Sequence, residues 1–553
     1  MIRFVNRPSR AALTAGVVNQ SSVRSVVHSR RTLMQIGNMF MPGRLSGTLL
    51  PLFSLRSRSD FGIGDFGALP PLFRWMQSAR QRMLVLLPLL PTLPGDASPY
   101  ATRSAFGLNP FFIDLAQVPE FNELGEGAMS SDERQRLETA RASHRIRYDL
   151  VFPFKRAVLR RAFERFEQIH WKTDSNRAAE LRQYLQEQRS WLDTLSVFCA
   201  ISDDRRNQAW WEWPEPLRTL QPAALDEERK RLATEILFYS WQQWIAEVQW
   251  RQVRKAAREH EIALCGDEPF IVAEDSRDTW AFPDILKRDA RLGVPPDDFS
   301  AVGQDWGLPY FDFEAMRKDD FAWLRARAAR TADYYDLRRI DHAVGYFRQW
   351  IRDKKTPLGR FLPADEATQR SQGEQLFRLL AAAAGIVAED LGVVPDFVRQ
   401  TLTRLSIPGY RVLRWERDAG VYRDPRHFPA LSLVTTSTHD TETLREWWET
   451  LAADERAAAV RAYPELQAVA DTSTFNPQTH QALIAVAQNA GSDLCIIPWQ
   501  DAFGTRERIN LPGSISSENW AYRIEPNVDE LWGRDDCRAI AALLARLSEA
   551  AGR

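Results

Sequence analysis

Three apolar runs in this chain end in carboxylates, and that repeated pattern restricts the fold more than any other feature. Tyr334-Tyr335-Asp336-Leu337-Arg338-Arg339-Ile340-Asp341-His342 reads as a short strand that finishes in charge. Arg339 and Asp341 are two residues apart, so on a strand both side chains leave from one face. Taken alone, the segment reads equally as an edge strand carrying a surface ion pair. Its recurrence changes that reading. Gly385-Ile386-Val387-Ala388-Glu389-Asp390 ends an apolar run in two acids, and residues 431–440 end another in His439-Asp440. Three strands with a carboxylate at each C-terminal tip are what a (β/α) barrel requires, since its reactive residues gather at that end.

Five further apolar runs, at 47–53, 83–90, 262–273, 410–416 and 494–501, complete a count of eight. Helical stretches separate most of them, which predicts an α/β fold of the (β/α)8 TIM-barrel type. A chain of 553 residues exceeds a minimal barrel, so a second domain or large insertions must be present. Residues 132–260 carry long amphipathic patterns rich in Arg, Glu, Gln and Trp, and predict a helical insertion. Within it, Trp210-Trp211-Glu212-Trp213-Pro214 reads as packing between helices, with a sugar platform as the alternative. The stretch 292–307 is polar and rich in Pro and Gly, which predicts a long, mobile active-site loop. The glycine-rich turn at 61–67 lacks the Lys-Ser/Thr of a phosphate cradle. Residues 44–553 are thus one interrupted barrel, with no separate C-terminal β domain expected.

Charge and cysteines exclude several classes. The 72 basic and 73 acidic residues are intermixed and leave a net charge of −1, so no nucleic-acid surface is expected. No run of 18 apolar residues predicts a membrane span. The four cysteines lie far apart without a CxxC pair, as in a reducing compartment and without structural zinc. Residues 1–43 hold Arg3, Arg7, Arg10, Arg24, Arg30 and Arg31, and no acid precedes Asp60. That is the composition of an organelle transit peptide. The preferred alternative is a disordered extension ahead of a start near Met39 or Met41, with a cytoplasmic protein following.

Glycosidic cleavage needs one carboxyl group to protonate the leaving oxygen and a second to attack or to stabilise the oxocarbenium-like transition state. Asp341, Glu389 and Asp440 supply these from three strands. Arg339 would hold Asp341 ionised, and nearby negative charge would keep another carboxyl protonated as the acid. The residues leave open whether Glu389 or Asp390 points inward. Asp and His at strand tips also suit a divalent cation. A metal-dependent hydrolase or lyase and a non-catalytic carbohydrate-binding barrel are therefore the other readings.

Arg339-Ile340-Asp341-His342, Ala388-Glu389-Asp390-Leu391-Gly392 and Thr438-His439-Asp440 resemble three signature regions of the amylomaltases. These are the 4-α-glucanotransferases, or disproportionating enzymes, of glycoside hydrolase family 77 in the α-amylase superfamily. Ser98-Pro99-Tyr100 with Asn109-Pro110, Gly266-Asp267-Glu268-Pro269 with Ala273-Glu274-Asp275-Ser276, and the loop at 293–307 resemble further regions of that family. So do Arg508-Ile509-Asn510-Leu511-Pro512-Gly513 and Asn519-Trp520, and the order is kept from about residue 46 to 531. The resemblance implies Asp341 as nucleophile, Glu389 as general acid/base and Asp440, beside His439, as transition-state stabiliser. It implies Arg339 as the group orienting Asp341, Tyr100, Phe299 and Trp306 as aromatic glucan contacts, and Asp267 as a supporting acid. It further implies a covalent glycosyl-enzyme intermediate, no cofactor or metal, and maltooligosaccharides and other α-1,4-glucans as substrates. The sequence sets no oligomeric state and is compatible with a monomer. Thr441-Glu442 and Leu308 depart from the family pattern, as does Ala343-Val344-Gly345-Tyr346. These departures bear on acceptor subsites and on the balance of transfer over hydrolysis. A hydrolase with the same residues and an inactive glucan-binding regulator are the rival readings.

Overall fold

The computed structural model describes residues 33–36, 39–296, 303–356 and 358–553, with side chains from residue 43 onward. Its centre is a closed barrel of eight parallel strands: β1 (Leu45–Leu49), β2 (Gln81–Leu86), β3 (Ala263–Glu268), β4 (Leu337–Ile340), β5 (Gly385–Ala388), β6 (Gly409–Val412), β7 (Ser432–Thr435) and β8 (Leu494–Pro498). Each pairs with the next in sequence, and β8 pairs back onto β1. Parallel barrel strands are covered on both faces, which is why Met83-Leu84-Val85-Leu86 and Cys495-Ile496-Ile497 are apolar without alternation.

All eight predicted runs overlap a barrel strand, with displaced ends. The first strand lies earlier than 47–53, because the chain turns after Pro51 into a 3-10 turn at Leu52–Ser54. The 410–416 run leaves the sheet after Val412 for a second such turn, Leu413–Trp415. Pro498 ends β8, having no N–H for the ladder, and the short helix Trp499–Phe503 follows.

Helices surround the strands: α1 (Leu69–Ser78), α2 (Tyr148–Phe166), α3 (Ala233–Glu259), α4 (Ala322–Tyr334) and α5 (Glu366–Ala383) among them. The region 132–260 is helical, and its last helix, α3, packs on the barrel as well as on the other helices of the region. It packs against α1 and β3, and Trp250 Nε1 donates to the Tyr334 carbonyl at 3.1 Å. In the tryptophan cluster, Trp210 and Trp213 are buried in packing, and Trp211 is half-buried under the Arg288 guanidinium at 3.7 Å.

Adjacent residues on a strand face opposite ways, so Arg338 and Arg339 divide the labour on β4. Arg338 points outward and reaches Glu268 at 3.0 Å and the Leu380 carbonyl of α5. Glu268 also holds Arg327 at 3.2 Å and Thr331 at 3.0 Å on α4. Arg327 in turn donates to the carbonyls of Pro269 and Phe270, fixing the chain where it leaves β3. Charges this deeply buried persist only when paired, and this group fastens two helices to two strands.

The stretch 292–307 is not the single long loop expected. The strands Leu286–Val294 and Gln304–Phe311 pair antiparallel within a four-stranded sheet completed by Gln349–Asp353 and Gly359–Leu362. Only 297–302, between the two strands, lie outside the described residues. Ahead of the barrel, Leu33–Ile36 and Met39–Pro42 form a two-stranded antiparallel hairpin. Among the described residues no helix is long and apolar enough to cross a membrane.

The β8–β1 seam is tied at the N-terminal end of its strands. The Arg553 guanidinium donates to the carbonyls of Leu45 at 3.4 Å, Gln488 at 2.8 Å, Ala490 at 3.0 Å, Ser492 at 2.7 Å and Asp493 at 3.0 Å.

Candidate active site

The opposite, C-terminal end of the barrel opens into a cleft of about 790 Å³ lined by Tyr100, Trp306, Arg339, Asp341, Glu389, His439 and Asp440. At its floor, Arg339 sits in register with Asp267 on β3. Arg339 Nη1 lies 2.6 Å from both Asp267 oxygens and 2.9 Å from Asp341 Oδ1. One buried cation thus spans two carboxylates. Burial opposes its charge, but Asp267, Tyr100 and Asp341 outweigh that and keep Arg339 cationic. The Asp341 side chain remains 23% exposed, so a ligand in the cleft can reach it.

After Asp341 the backbone turns left-handed at His342, with φ +46°. Few residues other than glycine tolerate this, and such strain clusters at functional sites. The turn aims the His342 N–H at Glu389 Oε2, 2.9 Å away, while Leu391 N–H donates to Oε1 at 3.2 Å. Burial, opposed by Arg339 and reinforced by Asp341, pushes the Glu389 carboxyl up to about 7. Burial also pulls His342 down to about 4, so its ring is neutral near pH 7. Asp390 faces away from the cleft. It is 1% exposed and accepts from Tyr410 N–H at 2.7 Å, Arg399 at 3.2 Å and Arg411 at 3.3 Å. This resolves which of the two acids points inward.

The tip of β7 is a turn closed by hydroxyls. Thr438 N–H donates to Thr441 Oγ1 at 2.9 Å, and Asp440 N–H to Thr438 Oγ1 at 3.2 Å. Thr441, one departure from the family pattern, therefore holds this turn, and Glu442 beside it pairs with the buried Arg414. Leu308, another departure, lines the cleft. Tyr100 donates its hydroxyl proton to Asp267 Oδ2 at 2.7 Å, leaving its oxygen to accept from His439 Nε2 at 3.0 Å. The two rings stack at 5.4 Å. Asn510 clasps the same tip twice, through its N–H to the His439 carbonyl at 3.1 Å and its amide to Asp440 Oδ1 at 2.7 Å. Although burial pushes it up, the His439 ring at 3.3 Å and the Asn510 amide hold Asp440 down at about 2.

Of the residues expected from sequence, Tyr100, Arg339, Asp341, Glu389, His439 and Asp440 converge, with Asp267 directly beneath. Trp306 stands on a sheet strand, its ring edge-on to His342 at 4.9 Å. Phe299 lies outside the described residues. Sequence reasoning gave no role to His342, Asn510, Trp520 or Trp415, all of which line the cleft. The signals available were the position of His342 beside Asp341 and of Asn510 and Trp520 inside a quoted motif. Trp415, 49% exposed, had been absorbed into a strand.

The family model described as 4-alpha-glucanotransferase, glycoside hydrolase family 77, matches residues 50–529, a span that holds every residue lining the cleft. A 4-alpha-glucanotransferase of Chlamydia pneumoniae is 31% identical over 500 residues, covering 88% of this chain and 92% of the relative. One from Synechocystis sp. is 32% identical over 511 residues, covering 88% and 95%. The amylomaltase of Streptococcus agalactiae, solved in complex with acarbose, is similar in structure with a TM-score of 0.78 at 25% identity, covering 92% of this chain and 99% of that one. By this match, across nearly its whole barrel, the chain belongs to the 4-alpha-glucanotransferase family, glycoside hydrolase family 77.

Proposed function

We propose that this 4-alpha-glucanotransferase works by double displacement, with Asp341 as nucleophile, Glu389 as acid and then base, and Asp440 as transition-state stabiliser. The observation that carries the assignment is the contrast between neighbours. Asp341 lies 2.9 Å from the Arg339 cation, whereas burial and the Asp341 charge, opposed by Arg339, push the Glu389 carboxyl up to about 7. A carboxylate paired with a cation suits attack, and a carboxyl that keeps its proton near neutrality suits donation.

In the first step Glu389 gives its proton to the glycosidic oxygen while Asp341 attacks the anomeric carbon. The aglycone leaves as an alcohol, and the glycosyl group is held as an ester on Asp341. In the second, the Glu389 carboxylate takes the proton of an acceptor 4-hydroxyl, whose oxygen displaces Asp341. Asp440, ionised because it is held at about 2, faces the positive charge that develops on the sugar in both steps. The substrates are α-1,4-glucans such as maltooligosaccharides. The acarbose of the Streptococcus agalactiae relative supports a saccharide in this cleft. Trp306, on the sheet beside the cleft, is placed to limit water while the ester lives. The working compartment is the cytoplasm, in keeping with four buried free cysteines.

Incubation with maltotriose tests the reading. Glucose together with a ladder of longer glucans is expected. Glucose and maltose alone, without longer products, would mean that water is the acceptor and the enzyme a hydrolase.

A further inference from the structure

Trp520 stands in the cleft wall with a left-handed backbone, φ +61°, which a bulky L residue adopts only where its neighbours hold it. Two hydrogen bonds do so. Its N–H donates to the Ile509 carbonyl at 2.8 Å, and its own carbonyl accepts the Tyr148 hydroxyl at 2.7 Å. So held, the indole lies 5.6 Å from the Tyr100 ring and 5.9 Å from the His439 ring. Tyr148 itself is not in the cleft. It is the first residue of α2, in the helical insertion, with its ring 4.9 Å from Phe152. The chain just before it is stitched to the segment after Trp520: Arg145 and Tyr522 form an antiparallel bridge, and Ile146 N–H donates to the Ala521 carbonyl at 2.9 Å.

We infer that Tyr148 is a positioning residue for transfer. Through the Trp520 carbonyl, the helical insertion braces the indole against Tyr100 and His439 and so sets the shape of the wall on which a sugar rests. The inference depends on the proposed reading of the cleft. Without the Tyr148 hydroxyl, the Trp520 carbonyl loses its partner, the Ile509 bond alone holds the left-handed residue, and the indole shifts against the two rings. The carboxylates keep their own supports, Asp341 on Arg339 and Asp440 on Asn510. Binding should therefore suffer more than chemistry.

A double-mutant cycle on maltotriose disproportionation decides it. Tyr148→Phe is expected to raise KM about five- to ten-fold, the size of one lost hydrogen bond, with kcat within about two-fold of wild type. Trp520→Gly removes the ring where glycine takes positive φ freely, and should raise KM further. In the Trp520→Gly background, Tyr148→Phe should then change KM no more, because the group it acts through is gone. Multiplying effects in the double variant would overturn the inference, as would an unchanged KM in Tyr148→Phe, whatever happens to Tm. Failure of the wild type to form a ladder would instead strike the transfer reading of the cleft.

Discussion

Glu389→Gln should make the protein more stable and less active, and the gain in stability should depend on pH. In the folded state the Glu389 carboxyl sits at about 7 against an ordinary 4.5. Between those values the folded protein keeps a proton that the unfolded chain has released, so stability falls as pH rises across the window. Below it both states are protonated and the cost vanishes. Above it, holding the carboxylate in the cleft costs about 3 kcal/mol, at 1.36 kcal/mol for each pH unit. Glutamine removes that cost. Its single carbonyl oxygen can accept from His342 N–H or Leu391 N–H but serves both poorly, which returns about 1 kcal/mol. Near pH 8 the net gain is then about 2 kcal/mol. Thermal unfolding of both proteins from pH 4.5 to 8.5 measures it. The Tm difference should open steadily as pH rises and level off above about pH 8. A constant difference, or one that closes with rising pH, refutes the argument, because it means the folded protein does not favour protonated Glu389. The same titration should appear as a basic limb near pH 7 in wild-type kcat/KM. A donor with a good leaving group, which needs little protonation, should still glycosylate Asp341 in Glu389→Gln.

Asp341→Asn should leave Tm and circular dichroism close to wild type while turnover drops below about 1%, since an amide cannot form the glycosyl ester; higher activity, with deamidation excluded by mass, removes Asp341 as nucleophile. Asp390→Asn should do the reverse, lowering stability by about 1–3 kcal/mol through weaker bonds to Tyr410, Arg399 and Arg411, while kcat falls far less than in Glu389→Gln. If it proves the more damaging change for natural glucans, the acid/base assignment passes to Asp390. Trp306→Ala should slow transfer more than hydrolysis, so the ratio of released glucose to longer glucans from maltotriose should rise at equal conversion. Equal loss of both activities makes Trp306 a support for the rim alone.

The barrel was legible because its strand tips carry charge where apolar runs end, and no surface strand needs that three times over. The pairings across strands were less so. Arg339 declares its partnership with Asp341 through a spacing of two, but its bond to Asp267 follows from the register of β3 against β4, which no local pattern specifies. Asn510 was hidden for a similar reason, since its partner Asp440 lies 70 residues away in sequence. The stretch 292–307 misled because its glycines suggest a loop. In the structure a Cβ on Gly293 would lie 2.0 Å from the Gln304 carbonyl, so glycine there permits close pairing of two strands. That helix α3 also meets the barrel was hidden, because an amphipathic pattern does not say which neighbours its apolar face will touch.

The seam between β8 and β1 carries a consequence for biosynthesis. β1 is among the first barrel strands to leave the ribosome, and its partner β8 is among the last. At about 5–20 residues per second, roughly 20–90 s separate them. Throughout that interval Leu45-Ser46-Gly47-Thr48-Leu49 has a neighbour on one side only, and its other edge offers unpaired N–H and C=O groups to any passing strand. The barrel therefore closes only after β8 has been made, and Arg553, whose guanidinium gathers carbonyls from both sides of the seam, follows it. Nascent chains stalled before β8 should be the species that chaperones hold, and emergence of β8 the event that commits the enzyme to its folded form.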